Sequence, residues 1–187
     1  MKKWIAGLVI LALLIPGAVF AEDTDGVLTP DAEVYDTVRL IEEAAYTLTE
    51  DPEDKALLQD GYAENRLTEA EALLGQEGSE DLVEGLIADY EESVTLVGEN
   101  LEQVRLNGAD VEVIEAYVAE KFADRTARMN ELLAREDLNE HAKAGIAKAI
   151  ENQAKAMENF VQAKLQAGQG QAKQEDKVTG QERAAQA

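Results

Sequence analysis

The sequence predicts an all-α protein: an elongated antiparallel bundle of about five helices, folded as two long hairpins with a shorter helix laid along them. Three observations carry this expectation. Apolar residues recur at spacings of three and four through most of the chain, with almost no strand signal. The apolar runs open on Thr, Asp, Ser or Asn, and two of them close at a glycine. The connections between the long runs are only a few residues each, which turns consecutive helices antiparallel.

Thr29-Pro30-Asp31 opens the first helix, with an N-cap, a proline at the first helical position and an acid in the first turn. Its predicted core face is Val34, Val38, Ile41, Ala45 and Leu48. Asp51-Pro52-Glu53-Asp54 repeats the same opening for a second helix, which carries Leu58, Tyr62, Ala70, Leu73 and Leu74 and ends at Gly75. The third starts after Ser79, and its Val83, Leu86, Tyr90, Val94, Val97, Leu101 and Val104 follow a seam near the 3.5-residue period of coiled coils. Asn107-Gly108 closes it. A fourth begins after Asp110 with Val111, Ile114, Val118, Phe122, Met129 and Leu132, and a fifth after Asn139 with Ile146, Ile150, Ala154, Met157, Val161 and Leu165. A shift of 60 residues lays Tyr62 on Phe122, Leu86 on Ile146 and Leu101 on Val161, as duplication of one hairpin would.

The helices occupy a predicted domain over residues 30–167. Ahead of it, residues 1–21 read as a secretory signal: Lys2 and Lys3, an apolar run from Ile5 to Phe20, and the small-residue cleavage site Val19-Phe20-Ala21. Pro16-Gly17 interrupts that run and leaves it short of the ~20 residues that span a bilayer. Cleavage after Ala21 predicts a secreted or extracytoplasmic protein with no stable membrane insertion, opening on an acidic linker over 22–29. Residues 168–187 lose apolar periodicity and are rich in Gln and Gly, the composition of a disordered polar tail. The chain has no cysteine, so an exported form depends on its packed core.

Charge is the largest departure from average. The 187 residues hold 39 Asp/Glu against 17 Lys/Arg, a formal net charge of −22. Residues 22–107 hold 25 acids against 4 bases, and residues 108–187 hold 14 against 11, so any electrostatic function belongs to the first half. Nucleic acid and anionic lipid are excluded as partners, because the leading attraction in both would be repulsive.

Four ordered segments, "GVLTPDAEVY", "LTEDPEDKA", "YAENRLTEAEALL" and "LIADYEES", resemble a bacterial exported family catalogued as domain-of-unknown-function family 5667. The hairpin from Ala116 to Phe160 is similar to that family's following segment. The resemblance implies a helical extracytoplasmic module without an assigned activity, and brings no catalytic residues.

Chemical motifs are sparse. In Tyr62–Leu74, Arg66 falls near the predicted seam, while Glu64, Thr68 and Glu71 project from another face; that pattern predicts solvated carboxylates rather than an acid–base pair. His141 is the only histidine, and Leu138 stands where a di-metal Glu-x-x-His pair would have its Glu. A calcium loop centred on Gly26 has Ala21 and Ala32 at its obligatory ends. Ser79 and Ser93 are the only serines, and there is no phosphate-cradling glycine loop. The expectation is therefore no catalytic, cofactor-binding or metal-ligating residues and no cofactor. The predicted function is a non-enzymatic exported interaction or structural module with a protein partner of unknown identity. The alternative is an acidic surface that holds divalent cations diffusely or docks a basic partner at the cell surface. Lys143, Lys148, Lys155 and Lys164 on the fifth helix offer complementary charge.

Overall fold

A computed structural model describes residues 27–136, 138–159 and 161–162. The predicted signal, most of the linker and the predicted tail lie outside the described residues. Within them the chain is all-α and forms a bundle without strands: α1 (Tyr35–Leu48), α2 (Pro52–Leu73), α3 (Glu80–Leu106), α4 (Glu112–Leu133) and α5, helical at 140–159 and 161–162. The 27 residues of α3 make a rod of about 40 Å.

The direction of each helix follows from its pairings. Arg125 of α4 meets Asp60 of α2, and Arg128 meets Glu71 further along, so α2 and α4 run parallel. His141, Lys148 and Asn152 of α5 meet Glu84, Glu91 and Glu91 of α3, which makes those two parallel as well. The bundle is thus up-down-up-down, as the short connections require. Helix α1 runs antiparallel to α2, with Tyr35 against Glu69 and Glu42 against Arg66, and lies over the α2–α3 hairpin.

Local chemistry sets the ends. Asp51 Oδ1 accepts from Glu53 N at 2.8 Å to cap α2, and Asn139 Oδ1 accepts from Ala142 N at 2.7 Å at the start of α5. Gly108, at φ 77°, closes α3: its N–H donates to Arg105 O and that of Ala109 to Val104 O, a Schellman pair that an L side chain would strain. The Ser79 hydroxyl does not cap α3; it lies 2.7 Å from Leu73 O and 2.8 Å from Gln76 O, tying the turn back onto α2.

The seam of α3 is as predicted, with all seven of its named residues buried. All of them but Val104 pack with Ala56, Ala63, Leu67, Ala70 and Leu73 of α2, Ile114, Val118, Phe122 and Met129 of α4, and Ile146 and Ala149 of α5.

Four expectations need correction. Helix α1 begins at Tyr35, not Pro30: residues 29–35 instead make tight turns through Ala32 N to Thr29 O and Tyr35 N to Ala32 O, and the Thr29 hydroxyl is taken by Asp31. Its buried residues are Tyr35 and Glu42, while Val34, Ile41 and Leu48 of the predicted core face are 43 %, 41 % and 81 % exposed. In α5 the buried line runs Ala142, Ile146, Ala149, Gln153, leaving Ala154 and Val161 exposed. The 60-residue echo accordingly holds at Leu86 and Ile146, both buried, but fails between buried Leu101 and exposed Val161.

Candidate functional site

Helix α2 presents three faces because residues three and four apart line up along a helix. Its small apolar residues meet α3. On one side of them Asp60, Glu64, Thr68 and Glu71 face α4; on the other Tyr62, Asn65, Arg66 and Glu69 face α1. The stretch Tyr62–Leu74 therefore carries two ionic seams. The expected solvated carboxylates are not found: Glu69 is buried, Glu64 and Glu71 are part-buried, and each lies on an arginine. The expectation failed because it gave α2 one buried seam and a solvated face beyond it, whereas three helices surround it.

In the seam with α1, the fully buried Arg66 guanidinium grips Glu42 through Nη2, with both carboxylate oxygens at 2.9 Å. Its Nη1 lies 3.2 Å from Glu69 Oε2 and donates to the Tyr35 hydroxyl, which itself donates to Glu69 at 2.8 Å. Arg39 continues the chain outward, reaching Glu42 at 2.9 Å and Asp89 of α3 at 2.8 Å. Tyr62 donates to the Glu42 carbonyl at 3.0 Å, and Asn100 of α3 to the Tyr46 hydroxyl at 3.1 Å. Burial pushes the Glu69 carboxyl up to about 7 despite the opposing pull of Arg66, and raises the Tyr35 hydroxyl well above its ordinary range. A carboxyl of that kind is the raw material of acid–base chemistry. Here, however, Tyr35 and Arg66 occupy it beneath α1.

In the seam with α4, Arg125 is buried and binds Asp60 through both the side chain and the carbonyl, with Glu64 at 3.0 Å from its Nε. Arg128 spans Glu64 and Glu71. Burial raises the Asp60 carboxyl against the attraction of Arg125; at Glu64 the hydrogen bonds from Arg128 and Arg125 overcome burial and lower it. Nearby, Tyr90 donates to Gln153, whose amide donates to Phe122 O and Thr126, joining α3, α4 and α5. Much of the charge that complements the acidic first half thus comes from α4 arginines. The α5 lysine Lys148 adds a pair with Glu91 at 3.0 Å.

Beside the α1 seam lies an open cleft of about 630 Å³ between α1, α2 and α3. Five carboxylates line it, from Asp36, Glu42 and Glu43 of α1 and Asp89 and Glu92 of α3. Arg39 is the single base among its lining residues, and it is already paired on two sides. Leu40, Leu96 and Tyr46 supply apolar surface, and Tyr62, its hydroxyl pushed up to about 12 by burial and by the neighbouring Glu42, closes the floor with Gln59 and Ser93. Such a cleft suits cationic groups carried on an apolar frame.

Other candidates lie elsewhere. His141 is exposed on α5, with Nδ1 3.4 Å from Glu84. Ser79 serves the turn and Ser93 lines the cleft. Among the described residues no group of His, Cys, Asp and Glu is arranged to hold a metal ion, and no helix is long and apolar enough to cross a membrane. Arg125 and the role of Glu42 escaped the sequence reading; the signal for Arg125 was an arginine inside the apolar line between Phe122 and Met129.

A family model described as Domain of unknown function (DUF5667) matches residues 27–124. The matched span covers α1, α2 and α3 and the first part of α4, and so includes every residue lining the cleft. No curated protein and no solved structure matches the chain.

Proposed function

The chain belongs to the family described as Domain of unknown function (DUF5667), and from the geometry we propose that it is a non-enzymatic interaction module, exported from a bacterial cell, whose acidic cleft receives the basic side chains of a protein partner. The observation that carries this reading is the cleft itself: beside the Glu42 and Asp89 carboxylates, already held by Arg66 and Arg39, it is lined by Asp36, Glu43 and Glu92, which make no ion pair among the described residues, with Leu40, Leu96 and Tyr46 between them. A partner's Lys or Arg would lay its apolar stem on those side chains and its charge against the acids. The non-enzymatic part is supported by the shifted carboxyl groups, Glu69 and Asp60, which are buried against Arg66 and Arg125 inside the helix seams.

A photo-crosslinking residue placed at Leu40 on the cleft rim, or at exposed Val113 on α4, tests the reading in producing cells. The Leu40 probe should capture a basic protein that the Val113 probe does not, and capture should weaken as salt is raised. Equal capture at both positions, or capture unaffected by salt, would remove the cleft as the binding site.

A further inference from the structure

Helix α1 turns outward a broad face with no charge. At ~100° per residue, half of its circumference, from Thr47 round to Val38, holds only uncharged side chains, among them Leu40, Ile41, Ala44 and Leu48. Leu48 is 81 % exposed, Leu40 65 % and Ile41 41 %, although the chain is strongly acidic and its other large apolar residues are mostly buried. One edge of this face, at Leu40, is also the rim of the cleft. An apolar track and an acidic track thus run side by side along α1, for about 20 Å over its 14 residues.

We propose that these two tracks form one docking surface for an amphipathic basic helix of another protein, with its apolar stripe on Leu40, Ile41 and Leu48 and its Lys or Arg residues toward Glu43 and Glu92. The proposal rests on the interaction reading above and adds the form of the partner. Charge selects this occupant. A second copy would bring the same acids to the same place at a net charge of −22 each, and an anionic lipid surface would be repelled in the same way. A helix presents its apolar and basic residues on adjacent faces along its whole length, which matches two parallel tracks; an extended strand alternates its side chains to opposite faces and matches only one.

The test uses the full chain and a fluorescein-labelled synthetic peptide with leucines at i, i+3, i+4 and i+7 and lysines alongside. A scramble of the same composition without a helical face is the control. Anisotropy titration should show the amphipathic peptide binding at least about tenfold more tightly than the scramble. Ile41→Glu with Leu48→Glu should abolish that preference without weakening scramble binding, while Glu43→Lys with Glu92→Lys should weaken both peptides. Helix content and Tm by circular dichroism identify any variant that has lost its fold, and Leu48→Glu alone then replaces it. Equal affinity for the two peptides overturns the helical partner and leaves the acidic cleft standing; binding of neither sinks both readings. A preference that survives Ile41→Glu with Leu48→Glu moves the site elsewhere. A dimer in sedimentation that Ile41→Glu disperses assigns the face to a second copy.

Discussion

Arg66 shows how one side chain can decide where a helix lies. Its guanidinium is fully buried, and Glu42, Glu69 and the Tyr35 hydroxyl satisfy its two terminal nitrogens. Truncation to Arg66→Ala should cost about 3–5 kcal/mol by urea denaturation, since it leaves the buried Glu69 without its cation and Glu42 with Arg39 alone. Arg66→Met should cost less where the protonated Glu69 is the stable form. The sign for Glu69 follows from its pKa of about 7, above the ordinary carboxylate value of 4.5. The folded form therefore holds a proton that the unfolded form releases. The stability this supplies is complete below about pH 4.5 and is lost as pH rises toward 7. In Glu69→Gln, which still accepts from Tyr35, that slope in Tm between pH 4.5 and 7 should flatten; an unchanged slope would place the titration elsewhere.

Among the elements, α3 and α1 make a contrast. Every predicted core residue of α3 is buried, because α2, α4 and α5 surround its apolar seam. Leu101→Ala, at full burial, should cost ~2–5 kcal/mol in denaturant unfolding, whereas Glu102→Ala beside it should stay within about ±0.5 despite losing its pair with Arg105. Similar losses at both positions would contradict the seam. Helix α1 is amphipathic too, but it docks through Tyr35, Arg39, Glu42 and Tyr46 and turns its apolar stripe away. Its attachment is ionic and aromatic where that of α3 is apolar.

Net charge governs behaviour at the scale of the whole molecule. At −22, with buried arginines answering only part of the acid excess, long-range repulsion opposes the compact state and added salt should raise Tm. Sodium and calcium compared at matched ionic strength separate screening from binding: equal shifts leave only screening, and a larger calcium effect marks cation association with the acidic surface. Export, which we propose from the N-terminal sequence, has an optical test. Trp4 is the only tryptophan, so protein cleaved after Ala21 should show tyrosine emission alone. Indole emission with an intact mass that retains residues 1–21 would identify an uncleaved segment.

The sequence by itself determined the class of fold, the starts of α2 to α5, the turns at Gly75 and Gly108, and the buried seam of α3. Each depends on chemistry within one or two helical turns: a capping carboxylate, a residue that accepts positive φ, an apolar step of three or four. Membership of the family was likewise legible in its ordered segments. What only the tertiary structure decided is which side of a helix faces what. Periodicity marks the apolar stripe of α1, but whether that stripe is buried depends on Glu42 finding Arg66 24 residues away. Likewise, Glu64 and Glu71 became seam residues only because α4 brings Arg125 and Arg128 across about 60 positions. A charge is solvated or buried according to its partner, and a partner on another helix leaves no periodic trace in the sequence around either residue. The cleft is the consequence, since long charged side chains hold α1 off the hairpin where apolar contacts would have drawn it in.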